Sequence, residues 1–176
     1  MKLFAKCLVM LLSATMLLTA CGTGRDDGDE STDVTTTAGE NTNQNNAPAD
    51  QAKLDEIYEK IVSGVNAELP GLVQQKVKNS RFDYYFGISK PAGALEAIVA
   101  EPAIGSIPFA ITLLSVDSSV DAAALAKEIK EKVDPRRWVC VEASYVETAV
   151  KGNVILLVLD GDNARGQEIV DSFNKG

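Results

Sequence analysis

The chain has 176 residues, 17 basic and 25 acidic, a formal net charge of −8 at neutral pH, and no histidine. That excess of acid excludes the electrostatic footprint of a nucleic-acid binder and disfavours direct adhesion to anionic lipid. Without imidazole no histidine-based triad can form, and the three cysteines, Cys7, Cys21 and Cys140, offer zinc almost nothing to bind.

The first predicted element is a secretory signal. Lys2 and Lys6 precede an apolar segment, Leu8 to Leu18, broken only by Ser13, Ala14 and Thr15. It falls short of the roughly 20 apolar residues that a bilayer span needs, and small residues follow it, as in a cleaved signal. Leu18-Thr19-Ala20-Cys21 resembles the lipobox of bacterial lipoproteins at every position. The resemblance implies that residues 1–20 are removed and that Cys21, as the new N-terminus, carries a diacylglyceryl thioether. Two acyl chains hold a protein on a membrane far better than one, so the expected location is the extracytoplasmic face of the cell membrane. Cys7 then leaves with the signal, and Cys140 remains as the lone thiol. It sits in the apolar run Trp138-Val139-Cys140-Val141 and is expected to be buried and inert. The folded part therefore has no internal disulfide, a common device of exported domains.

Residues 21–50 read as the lipidated Cys and a disordered acidic tether. Beyond Cys21 they are almost all Gly, Thr, Asn, Asp, Glu, Gln and Ala, with one Ser and one Pro; Val34 is the only branched aliphatic residue, and Arg25 faces seven acids. Such a composition buries too little to offset chain entropy. A flexible chain of this length spans roughly 30 Å. Asp26-Asp27-Gly28-Asp29 lacks the ligand spacing of a calcium loop.

Residues 51–176 are long enough for one domain with its own core. Leu54, Ile57, Tyr58, Ile61, Val62 and Val65 recur at helical spacing and predict a helix from about Ala52 to Ala67, with Asp50 as N-cap and Pro70 as the stop. Leu72 to Phe86 shows no single period. Its aromatic part, Arg81 to Gly87, is expected over the sheet edge. Leu95–Glu101 and Pro108–Val116 predict strands, the second so apolar that it should be central. A helix opening at Ser118, with Ser118 and Asp121 as a weak capping box, presents Ala122, Leu125, Ala126, Ile129 and Val133 to the core. Val139–Val150 predicts a third strand, Lys151-Gly152-Asn153 a tight turn, and Val154–Leu159 a buried strand. A last helix, about Ala164 to Asn174, turns Ile169, Val170 and Phe173 inward. Two short-linked strand pairs point to an α+β fold: a mostly antiparallel sheet of about four strands with helices packed on one face.

Leu69-Pro70-Gly71-Leu72, Tyr84-Tyr85-Phe86-Gly87-Ile88, the strand pair, the helix from Asp121 to Lys132 and Val150-Lys151-Gly152-Asn153-Val154 resemble an uncharacterised lipoprotein family found mainly in low-GC Gram-positive bacteria. The likeness covers about residues 54 to 174. It implies the same anchor and polar spacer, and it transfers no catalytic residue.

No constellation of residues declares an enzyme. Neither a Gly-x-Ser-x-Gly elbow nor a phosphate-cradling glycine loop is present. Ser172-Phe173-Asn174-Lys175 matches the Ser-x-x-Lys of penicillin-recognising enzymes without their partner motifs. Asp160, Asp162 and Asn163 fail the calcium-loop spacing at Ala164 and Arg165 and read better as a helix N-cap. Glu96, Glu101, Glu142 and Glu147 could pair across strands as an acid and a base. Arg136, Arg137 and Trp138 form the one basic and aromatic cluster, an interaction patch or else dipole-balancing arginines beside a core tryptophan. The leading reading is a lipid-anchored, non-catalytic binding or interaction module of the cell envelope. It needs no cofactor or metal; its partners are the membrane, through Cys21, and a protein or envelope ligand not identified by the sequence. The alternatives are a carboxylate-dependent cell-wall hydrolase and an accessory or assembly factor of a membrane complex.

Overall fold

Two continuous apolar runs organise the domain. Val154–Asp160 pairs antiparallel with Phe109–Val116, and every residue of both is buried. Side chains alternate across a strand, so a run that is apolar throughout must be covered on both sides. The computed structural model describes residues 47–176, with side chains from Lys53 onward. The signal segment, Cys21 and residues 22–46 of the tether lie outside the described residues.

In chain order the elements are α1 (Ala47–Ser63), β1 (Leu72–Lys76), a single 3-10 turn (Asn79–Arg81), α2 (Phe82–Phe86), β2 (Ala94–Pro102), β3 (Phe109–Val116), α3 (Ala122–Lys132), β4 (Tyr145–Lys151), β5 (Val154–Asp160) and α4 (Asn163–Lys175). The sheet runs β1-β2-β3-β5-β4, antiparallel at every pairing. The α+β class and the antiparallel sheet are as the sequence predicts. Two details differ. There are five strands among the described residues, and helices cover both faces. Leu54 and Ile61 of α1 pack with Ile169 and Phe173 of α4 on Ile98, Ile111, Leu156 and Val158. Leu125 and Ile129 of α3 pack with Phe82 and Phe86 of α2 on Val99, Leu114, Ile155 and Leu157.

Local chemistry sets the boundaries. α1 begins at Ala47, so Asp50 lies inside the helix instead of capping it. β1 is exposed after Leu72 and polar after Val73, which hid it from a search for apolar runs. The capping residue of α3 is Asp121, whose carboxylate accepts from the amides of Ala123 and Ala124 at 3.1 and 3.0 Å. Asp162 caps α4 in the same way. β2 carries a register irregularity between Ala94 and Glu96. There the Ser115 hydroxyl accepts from the Glu96 amide at 3.2 Å and donates to its carbonyl at 3.3 Å.

The predicted strand over Val139–Val150 is half loop: regular pairing starts only at Tyr145. Upstream, Cys140 adopts a φ of +63° and the Ala143 amide closes back on the Pro135 carbonyl at 2.9 Å. Cys140 is exposed, not buried.

Candidate functional site

The predicted patch is divided by the fold. Arg136 is solvent-exposed and its Nε donates to Glu142 at 2.8 Å. Trp138 is buried. Arg137 turns inward, leaving its side chain only 2% exposed. Its guanidinium stands 4.7 Å from the Trp138 ring centre and 5.2 Å from that of Tyr85, within cation–π range of both. Nη1 donates to the Tyr85 carbonyl at 3.2 Å, and Tyr84 donates to the Arg137 carbonyl at 3.3 Å. Nη2 lies 3.8 Å from Glu101, while Nε and Nη2 make no hydrogen bond. Burial pulls the guanidinium pKa down and the nearby Glu101 carboxylate opposes the shift. The trio is thus a clamp holding the loop after α3 onto α2, and it presents only Arg136 as a surface cation.

Glu101 also accepts from the Tyr85 hydroxyl at 2.9 Å. Burial first, and that hydrogen bond second, push the Tyr85 phenol up to about 12. The four glutamates do not assemble. Glu96 pairs with Lys76 at 2.5 Å, Glu142 with Arg136 at 2.8 Å and Glu147 with Lys130 at 2.7 Å. Glu96 and Glu101, five residues apart on β2, point to opposite faces of the sheet. Asp160 is fully buried and holds Arg165 through two bonds of 2.8 and 2.6 Å. That bonding keeps the Arg165 guanidinium above its ordinary range. Arg165 in turn donates to the Glu68 carbonyl, and Glu168 accepts from the amides of Asn66 and Ala67. These acids therefore fasten α4 to the segment after α1. Among the described residues no group of three or more acids and cysteines is placed to hold a metal ion, and no helix is long and apolar enough to cross a membrane.

The most apolar recess lies elsewhere, between α1, α4 and the turn from β4 to β5, with a volume of about 270 Å³. Ile57, Val154 and Phe173 line its floor, and Lys53, Lys60 and Lys151 stand around it. The turn is rigidly placed: Gly152 takes a φ of +60°, and Asn153 donates to the Val116 carbonyl while its own carbonyl accepts from the Val116 amide, both at 2.9 Å. Lys53 spans the mouth, donating to Asn153 at 3.2 Å. The one hydroxyl in the wall, Ser172, is spent on the carbonyls of Ile61 and Lys60 at 2.9 and 3.4 Å.

Comparison with family models, curated proteins and solved structures finds no match.

The recess was missed at the sequence level because three distant segments build it. Part of the signal was available: Lys53, Ile57 and Lys60 follow one another at helical spacing on one face of α1. The resemblance motifs fall around the same scaffold. Leu69 to Leu72 leads into β1, Gly87 caps α2 in a left-handed conformation, and Val150 to Val154 forms the turn beside the recess.

Proposed function

We propose that the chain is a lipid-anchored, extracytoplasmic binding or interaction module that works without catalysis, of the kind represented by the uncharacterised lipoprotein family it resembles. The observation that carries this reading is the make-up of its most apolar recess. Ligand sites are concave, largely apolar and furnished with a few polar groups. This one is aliphatic and aromatic below and cationic above, and its only hydroxyl is tied to the backbone. The carboxylates that a hydrolase would need are each engaged with a separate partner, two of them on opposite faces of β2. The anchor reading rests on Leu18 to Cys21 and on the acidic, glycine- and threonine-rich stretch behind it.

Replacing the anchor residue by Cys21→Ser tests the placement. The wild-type chain is expected in the membrane fraction with a labelled acyl group; the variant is expected in the soluble exported fraction without label. Unchanged fractionation and labelling would overturn the anchor. Crosslinking in intact cells, read by mass spectrometry, tests the module. A reproducible partner or envelope ligand is expected, whereas turnover of a cell-wall glycan by the purified chain would replace the module with a hydrolase.

A further inference from the structure

We infer that the recess between α1, α4 and the β4–β5 turn is a site for a small amphiphilic anion, a carboxylate or phosphate on one short apolar group. The inference deepens the binding-module reading and rests on it. The folded part carries more acid than base, 18 against 14 residues. Three lysines around one recess therefore run against the net charge of the folded part. No acidic side chain lines that recess. Lys60 and Lys151 have no ion-pair partner among the described residues. An ammonium is a strongly hydrated point charge on a flexible stem, suited to a carboxylate or phosphate of any orientation. Below the rim the half-buried Ile57, backed by the buried Val154 and Phe173, gives the recess an apolar lining that favours an apolar group. Size narrows the ligand further. About 270 Å³ lies just under the usual span of ligand pockets, roughly 300 to 1,000 Å³. One short chain or ring fits, and a two-chain lipid does not. The competing explanation is that the lysine stems simply cover the floor; the headgroup and charge dependence of binding separates the two.

The test is an amide-resolved NMR titration of the mature chain carrying Cys21→Ser, so that no acyl chain competes. Octanoate and octyl phosphate are the probes; 1-octanol lacks the charge and acetate lacks the apolar part. Both anionic probes are expected to move the signals of Ile57, Val154 and Phe173 saturably, and the tighter of the two identifies the headgroup. Acetate and octanol should bind far more weakly. Lys60→Gln with Lys151→Gln is expected to weaken the anionic probes by about tenfold while the signals of β2 and β3 stay in place, which shows that the variant is folded. Equal binding of octanol, insensitivity to the lysine changes, or shifts scattered over the domain would each overturn the proposal. So would movement of the recess signals, without any probe, when Asp26, Asp27 and Asp29 are changed to Asn, because the occupant would then be the chain's own acidic stretch. Failure here is distinct from failure of the module reading: a crosslinked partner on another face keeps the module and removes only this ligand.

Discussion

Tyr85 shows how one side chain reports on the clamp around Arg137. Its hydroxyl donates to the Glu101 carboxylate, its backbone carbonyl accepts from Arg137, and its ring lies beside two guanidinium groups, those of Arg81 and Arg137. Ionising that phenol would bury a charge in a poorly solvated place, lose its hydrogen bond to Glu101 and set two negative charges together, hence a value of about 12 against an ordinary 10.0. The sign of the consequence follows by linkage. The folded state holds this proton more tightly than the unfolded chain does, so its stabilising share is complete below about pH 10 and falls as the pH rises towards 12. Tyr85→Phe removes both the hydrogen bond and the proton. It is expected to cost about 1 kcal/mol at pH 8, with the gap from the wild type closing between pH 10 and pH 11.5. Urea unfolding of both proteins across that range measures it; a gap that stays constant would show that the phenol is not held by Glu101.

Among the elements, the short α2 depends on a glycine. Gly87 ends it at a φ of +69°, and a β-carbon there would lie 2.2 Å from the Lys132 carbonyl oxygen at the end of α3. The backbones of two helices meet at this point, and neither can withdraw as a flexible side chain would. Gly87→Ala is expected to cost about 3 kcal/mol, from left-handed strain and overpacking together. Gly152→Ala, at a φ of +60° with nothing near its β-carbon, should cost only the strain, about 1 kcal/mol. Equal losses in thermal or urea unfolding would refute the close approach. The same elements show what the sequence could yield. β3 and β5 were legible because burial had selected unbroken apolar runs, β2 because its apolar run is interrupted only by Glu96 and Glu101, and the cap of α4 because aspartate has a specific task there. The Ser118 capping box instead points three residues ahead of Asp121, the residue that caps α3. β1 was not, since Gln74 and Gln75 sit at an exposed edge and carry no period. Val139, Val141 and Ala143 alternate as a strand would, yet Cys140 in a left-handed conformation turns them into a loop. The buried Arg137 and the lysine-rimmed recess depend on long-range contacts that no local pattern encodes. The two-sided helical cover follows from β3 and β5 being buried along their whole length, with no face left for solvent.

The whole domain is a layered structure whose stability should fall off from its centre. β3 and β5 have strand neighbours on both sides and helices on both faces, whereas β1 offers an edge unpaired among the described residues and an exposed outer surface. Local opening draws on the segments with the fewest buried apolar contacts. In hydrogen exchange read by mass spectrometry, peptides covering Phe109–Val116 and Val154–Asp160 are expected to exchange slowest, at the rate of global unfolding. Leu72–Lys76 should open first among the strands, with Tyr145–Lys151 intermediate because α3 and α4 brace it through Lys130–Glu147 and the seating of the Tyr145 ring over Gly166. The outer edge of β1 ends in Lys76, a charge of the kind that discourages edge-to-edge pairing, so the pattern should not change with protein concentration. If β1 instead exchanged as slowly as β3, or slowed as the concentration rose, that edge would be covered by a second copy. The unit that meets a partner would then be a dimer with a continuous sheet.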